Sequence, residues 1–166
     1  ITGAIGHQPV VIVRTATGEI KGYLNNCRHR ASSVVPAPVG NCGSSMVCPY
    51  HNWTYNLDGR LIGIPDRLRM YPDGLPTEDY GLVPIRVDVA WNKLVFGCLS
   101  RRAPSFREWI APIADSYDRY RFDTFQRYPR ELDQVYPINW KAFVENSNDD
   151  YHVRFVHRRI NDQRRQ

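Results

Sequence analysis

The chain has 166 residues, 42% of them hydrophobic and 23% charged, with a formal net charge of +5, which is enough to bury one full core and to begin a second. No apolar run is long enough to span a bilayer, and the N-terminus lacks the charged and apolar segments of a signal peptide, so neither is expected. Arg154, Arg158, Arg159, Arg164 and Arg165 crowd the C-terminal end, but no helix-turn-helix, zinc-finger or RNP pattern accompanies them, and a solvated helix end or tail explains them better than nucleic acid does.

In chain order, short β-like runs at 10–14, 20–24, 53–57, 85–89 and 94–98 are separated by turn signals and predict a small all-β unit. The chain begins on Ile and reads as a strand soon afterwards, so it is expected to be a fragment lacking upstream sequence. Asp58-Gly59 predicts a two-residue hairpin with positive φ at both central positions, and Thr17-Gly18 and Asn92-Lys93 are weaker signals of the same kind. Residues 65–81, rich in Pro, Asp and Gly, predict a long surface loop. Ser105-Phe106-Arg107-Glu108 has the form of a capping box, so a helix is expected to start near residue 105. After Pro137 the spacing of Trp140, Phe143, Val144 and Ser147 becomes helical.

Four cysteines allow two disulfides, yet two of them sit in Cys27-Arg28-His29 and Cys48-Pro49-Tyr50-His51, where a metal explains more and a reducing cytoplasm is the expected compartment. Cys42 and Cys98 are expected to be free thiols that serve packing. Two loops, each offering one thiolate and one imidazole, can clasp a single centre. A [2Fe–2S] cluster held by two Cys and two His is less negative than an all-Cys one, which suits it to accepting an electron. Structural zinc takes the same donors in a tetrahedron, and spacing alone leaves both open.

The longer strings Asn26-Cys27-Arg28-His29-Arg30 and Cys48-Pro49-Tyr50-His51-Asn52-Trp53-Thr54-Tyr55 resemble the two cluster-binding motifs of the Rieske family. The extra cysteines that form a bracing disulfide in the cytochrome-complex branch are absent, with Ser32 and Tyr50 at the equivalent positions. The chain therefore resembles the oxygenase and ferredoxin branch. It departs from the oxygenase pattern at Ala31 and Asn52, where that pattern has Gly. Asn tolerates a left-handed backbone and Ala does so less well.

The last thirty residues carry Asn139-Trp140-Lys141, Glu145-Asn146 and Asp149-Asp150-Tyr151-His152, then His157. Two imidazoles and a carboxylate suit an iron(II) site with positions open to dioxygen. Residues five apart on an ideal helix point about 140° from each other, so His152 and His157 can share a metal only if the helix ends or bulges between them. These strings resemble the mononuclear-iron motif of the α subunits of aromatic ring-hydroxylating oxygenases. The resemblance implies that His152 and His157 bind iron and that Asp149 hydrogen-bonds an iron-ligating His and bridges to a cluster His of a neighbouring subunit. It also implies a third iron ligand outside this chain.

The expected fold is mainly β: a Rieske [2Fe–2S] domain of small antiparallel sheets over 1–103, then the start of an α+β catalytic domain over 104–166. The resemblance implies a terminal oxygenase component that carries a Rieske [2Fe–2S] cluster and mononuclear Fe(II). It would hydroxylate or cis-dihydroxylate an aromatic substrate with O2. Its expected partners are a ferredoxin or reductase as electron donor and further copies in a homotrimer or α3β3 oligomer, with no nucleic acid and no membrane. The alternative is a stand-alone Rieske electron carrier, which has no use for Asp149, His152 and His157 together.

Overall fold

The valine-rich run from Val10 to Val13 lies in an inner strand of the larger sheet in the computed structural model, which describes residues 1–126 and 134–157. Val10, Val11 and Val13 are all buried, as expected of a branched-residue strand with sheet on both sides. Five antiparallel strands run in the order β1 (Thr2–Ile5), β2 (Gln8–Arg14), β3 (Ile20–Leu24), β7 (Pro84–Ala90), β8 (Leu94–Cys98). A second sheet of β4 (Ser45–Val47), β5 (Thr54–Asn56) and β6 (Leu61–Gly63) lies in the chain between the paired strands β3 and β7. The two sheets share one core, with Val11, Tyr23, Met46, Trp53, Tyr55 and Leu82 among its members.

Strands β2, β3, β5, β7 and β8 lie where the sequence predicts them, whereas β1 and β4 were not foreseen. Both are short, and they contain Gly, Ala or Ser where a strand signal needs branched or aromatic residues. The hairpin turns also differ from expectation. Between β5 and β6 the Asn56 N–H donates to the Arg60 carbonyl (3.0 Å) and the Gly59 N–H to the Asn56 carbonyl (3.0 Å), so the turn is three residues long. Only Gly59, at φ 78°, is left-handed there; the Asn56 side chain takes the Arg60 N–H (2.9 Å) and makes a tighter turn unnecessary. Near the other hairpin it is Trp91 and Asn92 that adopt positive φ, one residue earlier than predicted. The Trp91 indole N–H donates to Asp118 (2.7 Å) and its ring lies 5.0 Å from that of Phe122, which fixes an unusual conformation for so large a residue.

Gly59 is constrained twice. A Cβ there would lie 2.4 Å from Cε1 of Tyr23, whose hydroxyl donates to the Leu57 carbonyl (3.1 Å) and pins the hairpin to the larger sheet. Gly59→Ala is therefore expected to cost about 2 kcal/mol, from backbone strain plus displacement of the Tyr23 ring. A urea titration checks this, and an unchanged midpoint would remove the steric account.

Residues 65–81 are more than a surface loop. They form α1 (Arg67–Met70) and a 3₁₀ turn (Thr77–Tyr80), and Tyr71, Leu75 and Tyr80 pack against the core. Their Pro, Asp and Gly content hides the aromatic anchors. Helix α2 (Phe106–Asp118) starts where the capping box predicts: Ser105 Oγ accepts from the Glu108 N–H and Glu108 accepts from the Ser105 N–H.

The chain divides into two compact units, 1–125 and 126–166. In the second, α3 (Trp140–Asn148) is capped by the Asn139 side chain, which accepts from the Lys141 N–H (3.0 Å), and the single turn α4 (Val153–Val156) follows. Arg158, Arg159, Arg164 and Arg165 lie outside the described residues. Among the described residues no helix is long and apolar enough to cross a membrane.

Candidate metal centres

Each predicted ligand pair sits on a loop of the same backbone design. The Cys27 N–H donates to the Ser32 carbonyl (2.8 Å) and the Cys27 carbonyl accepts from the Ala31 N–H (2.8 Å). Likewise the Cys48 N–H donates to the Trp53 carbonyl (2.9 Å) and the Cys48 carbonyl accepts from the Asn52 N–H (2.9 Å). In both loops the fourth residue after the cysteine must turn left-handed to close the ring, and Ala31 and Asn52 both have φ 56°. These are the two positions where the sequence departs from glycine. Ala31→Gly is accordingly expected to stabilise the protein by about 0.5–1 kcal/mol, relief of the left-handed strain outweighing the added chain entropy. The thermal midpoint should rise by about 2 °C, and a fall would show the conformation to be unstrained.

The loops bring the four predicted ligands together. Cys27 and Cys48 are 4% and 1% exposed, and the His29 and His51 rings meet edge to face with centroids 4.5 Å apart. Burial pushes the Cys27 thiol up, opposed in part by the Tyr55 hydroxyl. Burial, with the neighbouring His51 and Arg30, pulls His29 below the usual imidazole range. His29 Nδ1 is buried and has no hydrogen-bond partner, an expense that a native core avoids unless the atom has another use. A neutral imidazole with a free ring nitrogen beside two buried thiols is a fitting donor set for a [2Fe–2S] cluster. Among the described residues no three His, Cys, Asp or Glu side chains are gathered around one point. A [2Fe–2S] cluster that takes the two thiolates on one iron and the two imidazoles on the other does not need such a point.

Two further residues support this centre, both inside the second motif string but given no part of their own from the sequence. Trp53 lies parallel to the His29 ring, at 10° and 4.9 Å between centroids, and is held edge-on by Tyr71 and Tyr80. Tyr55 is fully buried; its hydroxyl oxygen accepts the Arg28 N–H (3.0 Å) and lies 3.3 Å from the Cys27 sulfur, to which it can donate once that sulfur is a thiolate. The detectable signal was period two: Trp53, just before β5, and Tyr55 within it follow the ligand pair two apart, and both are buried. A donor to a ligating sulfur favours the more negative, reduced state. Tyr55→Phe is thus expected to lower a bound cluster's midpoint potential by about 40 mV, the equivalent of about 1 kcal/mol for one electron. Voltammetry reads the shift, and an unmoved potential would deny Tyr55 that part.

In the second unit Asp149 ends α3 with extended backbone, His152 precedes α4, and His157 follows it at φ −111°, ψ 54°. Helix α4 ends at Val156, between the two histidines, as a metal shared by them would require. Their rings lie 5.4 Å apart at 73°. Asp149 Oδ2 is 3.3 Å from His152 Nδ1, and Asp149 Oδ1 accepts the Tyr151 N–H (2.8 Å). The Tyr151 N–H and then His152 hold the Asp149 carboxyl below the usual carboxylate range. A carboxylate on one imidazole nitrogen leaves the opposite nitrogen for a metal and sets the tautomer. Cys42 and Cys98 are free cysteines, and Cys98 Sγ donates to the Ser100 carbonyl at 3.6 Å.

Residues 2–74 match the family model for the Rieske [2Fe-2S] domain, and residues 106–165 match that for the ring hydroxylating alpha subunit (catalytic domain). The glycine betaine monooxygenase oxygenase subunit of Pseudomonas aeruginosa is 32% identical over 161 residues, covering 95% of this chain and 35% of its own length. Biphenyl 2,3-dioxygenase subunit alpha of Rhodococcus jostii is 33% identical over 158 residues, covering 92% and 34%. Among solved structures, a naphthalene 1,2-dioxygenase variant bound to phenanthrene superposes with a TM-score of 0.73 at 29% identity, covering 95% of this chain and 36% of that one. The chain thus spans about a third of the length of the curated relatives it matches.

Proposed function

Because the chain joins a Rieske [2Fe–2S] domain to part of a ring-hydroxylating α-subunit catalytic domain, we propose that it is the electron-receiving portion of a terminal oxygenase acting on an aromatic ring. The observation that carries the proposal is the buried, unpartnered Nδ1 of His29 beside Cys27, Cys48 and His51. When bound, a [2Fe–2S] cluster supplies a one-electron store and mononuclear Fe(II) supplies positions open to dioxygen.

In this reading Cys27, His29, Cys48 and His51 hold the cluster. Trp53 fixes the plane of the His29 ring, and the Tyr55 hydroxyl steadies charge on the Cys27 sulfur. His152 and His157 hold the mononuclear iron, and Asp149 keeps the proton on Nδ1 of His152. Asp149, His152 and His157 favour an oxygenase over a stand-alone electron carrier. The division into a cluster domain over 1–103 and the start of a catalytic domain over 104–166 belongs to the same proposal: Ser105 caps a new helix there, although α2 stays within the compact unit 1–125. Exposed Arg28 and Arg30 flank His29 and suit an acidic donor such as a ferredoxin or reductase. A cytoplasmic homotrimer or α3β3 assembly completes the reading.

A second substrate class has a specific observation in its favour, since relatives at 32% identity are named for glycine betaine, a quaternary ammonium compound, rather than an arene. Iron, zinc and acid-labile sulfide per chain, with an EPR spectrum of the reduced protein, test the cluster. Matched iron and sulfide with a histidine-ligated [2Fe–2S] signal is the expected result; zinc without sulfide would end the oxygenase reading. Oxygen uptake by the full-length protein with arenes and with betaines then separates the two substrate classes.

A further inference from the structure

One buried polar side chain lies at the foot of the first ligand loop. Asn25 closes β3 at 3% exposure, and it is the only polar residue so buried among the described residues. Its Oδ1 accepts the N–H groups of Val34 (3.0 Å) and Val35 (2.9 Å), and its Nδ2 donates to the Val35 carbonyl (2.8 Å). Its own N–H donates to the Pro9 carbonyl of β2 (2.9 Å), which ties the residue to the larger sheet. Both polar atoms of the side chain are thereby engaged with the loop. The bonds join residue 25 to residues 34 and 35, the two feet of the loop that carries Cys27 and His29.

We infer that Asn25 is a positioning residue for the cluster: it sets the spacing of the loop's feet, and so the placement of Cys27 and His29 against the Cys48–His51 loop. The inference rests on the proposal that these four residues hold the [2Fe–2S] group. The second loop has no counterpart to this clamp and needs none, because it runs directly from β4 into β5, which pair at Val47 and Thr54. The first loop leaves β3 and does not rejoin a strand until β4 at Ser45. A side chain that bonds both feet does for it what strand pairing does for the other. Val34, 1% exposed, is anchored in the core at the same point, so the foot is fixed from both sides. Groups that hold ligand-bearing elements in place are commonly worth 10–100-fold in metal retention.

The test compares Asn25→Ala with Val13→Ala, a buried change at the far end of β2, after the two have been matched for thermal midpoint by choice of temperature. Both are prepared with the cluster bound, and its visible absorbance is followed on exposure to a chelator, alongside EPR of the reduced state. The expected result is loss of the cluster about tenfold faster from Asn25→Ala than from Val13→Ala, with a broadened or shifted EPR signal only in the former. Equal loss rates and unchanged EPR in both would reduce Asn25 to a fold residue and overturn the inference. If Asn25→Ala fails to fold, Asn25→Asp keeps the acceptor for the two N–H groups and gives up only the bond to the Val35 carbonyl, and the same comparison decides. A wild-type protein that holds zinc or no sulfide would instead overturn the cluster reading itself.

Discussion

Cys48→Ser is expected to give a folded protein that retains neither iron nor acid-labile sulfide. The substitution keeps the shape of a side chain only 1% exposed, and the backbone bonds that close its loop, to Asn52 and Trp53, do not involve the sulfur. Serine, however, offers a hard oxygen that stays protonated at neutral pH, whereas a thiolate is soft and ionises on binding metal. One iron of the pair would lose half of its protein ligands, and such a cluster is held by four. Stability of the apo chain should change by no more than about 1 kcal/mol. A colourless, cooperatively unfolding product supports the assignment. A red-brown product with matched iron and sulfide would remove Cys48 from the ligand set.

His152→Ala is expected to abolish substrate hydroxylation by the full-length protein while leaving the [2Fe–2S] signal intact. The histidine begins a four-residue turn and packs against the His157 ring and the Asp149 carboxylate, all at the surface of the second unit, so its loss leaves no cavity in a core. With one imidazole gone, a two-His site cannot retain iron(II) at ordinary affinity, and turnover should fall by at least about 10³-fold. Asp149→Ala should cost less, about 10–100-fold, because the iron ligands remain and only the orientation of His152 is released. Unchanged turnover in His152→Ala would refute its place at the iron. Loss of the cluster signal as well would mean that the substitution acts through folding.

The mainly β Rieske fold and the likeness to ring-hydroxylating α subunits were legible because ligand chemistry leaves short, dense marks. Cys-x-His and Cys-x-x-His need a turn and two donor types within four residues, and such strings survive without knowledge of the rest. The capping box at Ser105 was equally local. What stayed hidden depends on residues far apart in sequence: Tyr55 reaches Cys27, Asn25 reaches Val34 and Val35, and Tyr71 and Tyr80 brace Trp53. None of these contacts has a spacing that could announce it. The misplaced turns have a different cause. Asp58-Gly59 and Asn92 each permit a left-handed residue, but the Asn56 side chain and the Trp91–Asp118 bond decide which position takes it.

The insertion of the smaller sheet between the paired strands β3 and β7 also governs the order of events in folding. Hairpins β1–β2, β2–β3 and β7–β8 close over a handful of residues, whereas joining Tyr23 to Pro84 closes a loop of roughly sixty, at an entropic cost that grows with the logarithm of loop length. That junction is therefore expected to form last in the larger sheet and to limit the folding rate. Both cysteine loops lie within the long loop, so an iron–sulfur unit delivered early would meet ligands not yet held against one another, and maturation of the protein should lag behind formation of its hairpins.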